Sequence, residues 1–151
     1  MPRARIIYGA MRTLELHRLA GAVRQRDRRE LVSWYVRLIS AQVRMKMKSS
    51  PSPPTVTMPM YGQHLHAYRY WDLAFLVDEV FLDGTYDIGP LPDNPVIVDC
   101  GANIGVATFY FVHTYPGAQV IAFEPDPSSF AMLTENVRNL PAVTTYERLV
   151  G

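Results

Sequence analysis

The chain has 151 residues, 48% of them hydrophobic and 19% charged, so it lies in the range of a globular domain rather than a disordered tail. A single cysteine, Cys100, excludes an intrachain disulfide framework and fits a reducing compartment. No apolar run approaches the ~18 to 20 residues that span a bilayer, and the N-terminus lacks the apolar core of a secretory signal, so the expected location is cytoplasmic.

The formal charge of +1 is unevenly spread: residues 1–48 carry twelve Lys/Arg against three acids, and residues 49–151 carry three against eleven. With only Arg69, Arg138 and Arg148, the acidic body has no basic groove for nucleic acid. The basic segment reads as two helices, about Ile6 to Val23 and about Glu30 to Lys46. In the second, Leu31, Trp34, Tyr35, Leu38 and Ile39 recur at helical spacing. Two partners suit that amphipathic helix: an anionic membrane surface held weakly, or the acidic body behind it. The segment is also Arg-rich like a mitochondrial presequence, but Glu15, Asp27 and Glu30 argue against one.

A Pro/Ser stretch, residues 49–55, is the expected linker, and residues 56–151 the expected body. Val56 to Gln63 reads as one short strand, confined to an edge by Pro59. His64 and His66 lack partners at a metal-ligand spacing and read as surface or packing residues. Tyr70 to Leu82 has helical period and closes at Asp83-Gly84. A proline-rich loop then leads into Val96-Ile-Val-Asp-Cys100, read as a strand buried on both faces.

The rest alternates. Ile104 to Tyr115 is an apolar helix containing His113, which reads as a packing histidine. Gln119 to Phe123 is a strand ending at Glu124. Asp126 and Pro127 open a helix with Phe130, Leu133, Val137 and Leu140 on one face, and Val143 to Val150 forms a third strand. Strand, helix, strand, helix, strand with short joints predicts a right-handed parallel α/β unit.

The chemistry falls at the first strand-to-helix joint, Asp99-Cys-Gly-Ala-Asn-Ile-Gly105. Gly101 and Gly105 allow a tight turn, and the next helix begins with unpaired N–H groups. A dinucleotide fingerprint starting at Gly101 requires glycines where Asn103 and Val106 stand, which disfavours a nicotinamide-dependent oxidoreductase. The pattern D-x-G-x-N-x-G matches instead at Asp99, Gly101, Asn103 and Gly105, a loop suited to an amino-acid-bearing nucleoside. Glu124, at the tip of the second strand, is placed to accept two ribose hydroxyls.

These residues resemble the FkbM-type S-adenosylmethionine-dependent methyltransferases of class I. The resemblance is carried by Asp78-Glu-Val-Phe-Leu-Asp-Gly-Thr-Tyr86, Val96 to Gly105, Ile121-Ala-Phe-Glu-Pro-Asp-Pro127 and Leu149-Val-Gly151. It implies S-adenosyl-L-methionine as cofactor, with Asp99, Gly101 and Asn103 at its methionine end, Glu124 on its ribose, and Ala102 and Gly105 completing the cofactor-binding residues. It implies a small-molecule or glycan hydroxyl as acceptor and a Rossmann-like sheet of which only the first three strands are present. Cys100 stands where the family has small apolar residues and reads as packing. The later acidic motif that would face the acceptor has no counterpart, so no catalytic base is named. On that expectation the chain alone is an inactive fragment that self-associates through an uncovered sheet edge; the alternative is a non-enzymatic cofactor-binding remnant.

Overall fold

The computed structural model describes Ser33, Trp34, Val36, Arg37, Ser40 and residues 55–151. Most of the basic segment, and the linker apart from Thr55, lie outside the described residues.

The body opens with a hairpin rather than one strand. β1 (Val56–Met60) pairs antiparallel with β2 (Gln63–Ala67), from Val56 opposite Ala67 to Met60 opposite Gln63. The turn, Tyr61-Gly62, has φ of 46° and 76°, the two positive values of a two-residue hairpin whose twist matches its strands. The sequence reading missed it because His64 and His66 interrupt the apolar pattern with polar residues on one face. Leu65 and Ala67, on the other, are fully buried. His64 is exposed, and His66 Nδ1 lies 3.1 Å from Thr57 Oγ1, so both are surface residues as expected.

Helix α1 (Tyr70–Val77) buries Leu73 and Val77, then widens into a π-helical turn, Asp78–Leu82, that buries Val80 and Phe81. Phe81 meets the edge of Trp34 at 6.4 Å, and Trp34 Nε1 donates to the Pro59 carbonyl. Trp34, 3% exposed, therefore packs on the body; the other residues of the expected apolar stripe lie outside the described residues.

Three parallel strands follow: β3 (Val96–Cys100), β4 (Gln119–Phe123) and β5 (Val143–Tyr146), in the spatial order β3-β4-β5. Helices α2 (Val106–Thr114) and α3 (Pro127–Val137) make the crossovers. Crossovers of one hand that step the same way across a sheet place both helices on one face, and the alternating burial along β3 and β4 agrees with this. Asp126 caps α3, its Oδ2 accepting the Ser129 N–H at 2.8 Å, with Pro127 in the first turn as the sequence predicts. The third strand ends at Tyr146, short of the expected Val150.

One-sided cover corrects the reading of β3 as doubly buried. Ile97 and Asp99 are buried beneath the helices, whereas Val96 and Val98 are 66% and 55% exposed. Register places Val98, Ile121 and Thr144 on the same bare face, as it does Cys100, Phe123 and Tyr146. Cys100 is accordingly exposed and does not pack as expected. An apolar, β-branched run reports affinity for cover, and no described element supplies it on that side. No helix among the described residues is long and apolar enough to cross a membrane.

Candidate functional site

The two crossover loops meet at the C-terminal ends of β3 and β4. Cys100 pairs with Phe123, so Glu124 stands level with Gly101, one residue beyond each strand. The Phe123 carbonyl accepts both the Gly101 and the Ala102 N–H, each at 2.9 Å, and this bends the loop back over the end of β4. Gly105 N–H closes onto the Ala102 carbonyl at 2.8 Å.

Three loop residues hold left-handed backbone: Gly101 (φ 81°), Asn103 (φ 51°) and Gly105 (φ 88°). The two glycines answer different needs. A Cβ on Gly101 would meet nothing within 4 Å, so the space above it is open to a ligand. A Cβ on Gly105 would sit 2.8 Å from Leu133 Cδ1, so this glycine serves the approach of α3 to the loop rather than that of a cofactor. The sequence reading gave both glycines the same task. Asn103 tolerates its conformation because a short polar side chain is among the few that visit it.

Glu124 is 7% exposed, and its carboxylate joins the loops. Oε2 accepts the Asn103 N–H and Oε1 the Asp126 N–H, both at 2.8 Å. Each carboxylate oxygen accepts one bond here and has lone-pair capacity for a second, which matches the two donors of a vicinal diol.

Asp99 is buried beneath the same loop. Thr108 Oγ1 donates to its Oδ2 at 2.5 Å, tying β3 to the first turn of α2. Burial pushes the Asp99 carboxyl above its usual range; the Thr108 hydrogen bond opposes this and the Glu124 charge adds to it. The structure thus brings together Asp99, Gly101, Ala102, Asn103, Gly105 and Glu124 at one end of the sheet, with Asp99 turned under the loop and Ala102 buried in it. Burial raises the pKa of Tyr86, with smaller contributions from the Glu79 and Asp99 charges.

Asn136 is a residue the sequence reading missed. Buried in α3, it accepts the His66 N–H at 2.7 Å and donates to the carbonyls of His66 and Ile104 at 2.9 and 2.7 Å. It binds the hairpin to the loop. The available signal was a polar residue on the buried side of an amphipathic helix, one position before Val137. His113 is a packing residue as expected, stacked on Phe109 and Tyr61 at 4.3 and 4.5 Å. No group of three or more potential metal ligands occurs among the described residues.

No protein-family model matches the chain. Among curated proteins it is similar to methyltransferase sdnD of Sordaria araneosa, 48% identical over 66 residues that make up 44% of this chain and 26% of that protein. It is also 41% identical over 82 residues to methyltransferase 1 of Beauveria bassiana, covering 53% of this chain and 33% of the relative. The matched regions thus span about a quarter to a third of these relatives. Among solved structures, the putative transferase PH0793 of Pyrococcus horikoshii aligns with a TM-score of 0.48 at 23% identity, over 65% of this chain and 37% of its own. The sequence likeness is to methyltransferases as a class, which is coarser than the FkbM-type resemblance.

Proposed function

We propose that the chain carries the cofactor-binding part of an S-adenosyl-L-methionine-dependent methyltransferase of the FkbM type, acting on a hydroxyl of a sugar or other small molecule. The observation that carries this reading is Glu124: its carboxylate stands beside the open backbone of Gly101 with both oxygens able to accept another donor. The methyltransferase relatives support it independently.

The residues present fit the cofactor. Glu124 holds the ribose diol, Gly101 admits the ligand close to the main chain, and Asn103 shapes the methionine end. Asp99 acts from below, through Thr108, by fixing the start of α2. When bound, the cofactor supplies a sulfonium methyl that an acceptor oxygen takes, leaving a neutral thioether as the hydroxyl proton passes to solvent. Proximity and in-line orientation dominate such a transfer, so the loop's part is to hold its ligand still. Residues 1–48 and 49–55 are read as an appendage and linker to residues 56–151, in a cytoplasmic setting. The burial of Trp34 favours the body over a membrane as the partner of the second basic helix.

Saturation-transfer NMR on the purified chain, which detects even millimolar binding, tests the reading. S-adenosylhomocysteine should give a signal and NAD none. Glu124→Gln, with its fold checked by circular dichroism, should weaken binding about tenfold through loss of charge-assisted hydrogen bonds. Preference for NAD, or no binding of S-adenosylhomocysteine, refutes it.

A further inference from the structure

A cleft of about 410 Å³ opens between the end of β2, helix α1 and the loop after β3, within the range of about 300 to 1,000 Å³ typical of small-molecule sites. Tyr68, Trp71 and Phe75 line it, with Leu76 adding apolar surface. Trp71 and Phe75 are one helical turn apart and so share a face of α1. The Tyr68 hydroxyl donates to the Ser128 carbonyl at 2.8 Å, which fixes that ring between the hairpin and the start of α3.

Two of these rings are not spent on the core: Phe75 is 58% and Tyr68 42% exposed, while α1 buries Leu73 and Val77 instead. A single exposed aromatic residue needs no explanation, but two that share one concavity with a half-buried tryptophan do. The lining is mostly apolar, with Asp72, Asn103 and Ser129 as its polar members, and the Asp72 carboxylate already accepts from Arg69 Nε at 2.8 Å. Aromatic rings around one concavity match a flat apolar ring by stacking. Asn103 belongs both to this lining and to the loop held by Glu124, so the cleft adjoins the proposed cofactor site.

We propose that this cleft binds the planar aromatic body of the methyl acceptor, an aromatic compound bearing a hydroxyl. The inference rests on the methyltransferase reading for the word acceptor, and on the cleft alone for the ligand class.

The test uses 2-naphthol and methyl glucoside as probes in saturation-transfer NMR on the full chain, with and without saturating S-adenosylhomocysteine. Naphthol should bind, methyl glucoside should not, and S-adenosylhomocysteine should leave naphthol in place. Trp71→Ala should weaken naphthol about tenfold by removing a stacking partner. Phe75→Ser, at an exposed position, should weaken it several-fold and serves should Trp71→Ala fail to fold. Unchanged naphthol affinity in the folded variants, saturation of the glucoside alone, or displacement of naphthol by S-adenosylhomocysteine overturns the proposal; the last would assign the cleft to the cofactor's adenine. Naphthol binding that depends on Trp71 without any binding of S-adenosylhomocysteine would uphold the aromatic site and refute the methyltransferase reading instead.

Discussion

Replacing Gly105 and Gly101 separately by alanine should have opposite consequences for folding and for ligand binding. Both have positive φ, so each alanine accepts left-handed backbone at a cost of about 1–2 kcal/mol. At Gly105 the new methyl also meets Leu133 Cδ1 at 2.8 Å, closer than such atoms approach. Leu133 is fully buried, with little room to yield, and overpacking of this kind adds about 1–3 kcal/mol. Gly105→Ala should therefore lose roughly 2–5 kcal/mol and Gly101→Ala only about 1–2 kcal/mol. With a urea dependence of about 1.5 kcal/mol per molar, the midpoint of Gly105→Ala falls by roughly 1.3–3.3 M, and that of Gly101→Ala by roughly 0.7–1.3 M. Ligand binding should rank the other way: Gly101→Ala puts a methyl into the open space and abolishes the S-adenosylhomocysteine signal, whereas folded Gly105→Ala retains it. Equal midpoint shifts, or a greater loss of binding in Gly105→Ala, would refute this division of labour.

Asp99→Asn tests the buried carboxyl. Its pKa is raised on folding, so the folded chain holds the proton more tightly than the unfolded one, and this stabilisation is lost as pH rises from about 4 through the raised value. Asparagine still accepts from Thr108, so the variant should gain stability relative to the parent across that window in urea titrations; a pH-independent difference would exclude the mechanism. Asn136→Leu strands the His66 N–H and the carbonyls of His66 and Ile104, and should cost at least about 3 kcal/mol with loss of amide protection at His66; a loss below about 1 kcal/mol would show that water replaces the side chain. Self-association through the bare face and edge of β3 should be visible by light scattering and should decrease in Val98→Lys, which puts a charge on that face; a monomeric parent chain removes the premise.

The sheet and its helices were legible because their signals are local. Asp126-Pro127 is a cap and first turn within two residues, and Val96 to Cys100 is too apolar and β-branched for a loop. The loop motif was legible too, since a pattern of left-handed positions and small residues is written in consecutive letters. The hairpin was not, because β2 presents histidines on one side and its turn begins with a tyrosine. Nor was Asn136, whose partners lie seventy residues away in the hairpin and thirty-two in the loop. Hydrophobic period locates a helix face but is silent on which polar residue on it will satisfy another element's backbone. The double burial assigned to β3 failed for a related reason: composition records what a strand tolerates, whereas cover depends on which way each crossover turns.

The link between fold and ligand runs through one carboxylate. Glu124 is buried, yet it forms no ion pair among the interactions described; its partners are two main-chain N–H groups from different loops. Buried charge is costly unless hydrogen bonds replace its hydration, and two bonds do so only in part, since a carboxylate accommodates about four. Glu124 stands at the end of the sheet, level with Gly101, around which a Cβ would meet nothing within 4 Å. A neutral glutamine would keep only one of these cross-links, since both oxygens accept here and its amide nitrogen would face a main-chain donor. Retaining the charge has a physical rationale if further donors arrive, and a ribose diol brings two. Glu124→Gln removes one loop bond together with the charge, so it should weaken ligand binding as well as folding; a loss of stability with ligand affinity unchanged would make the residue a brace for the loops.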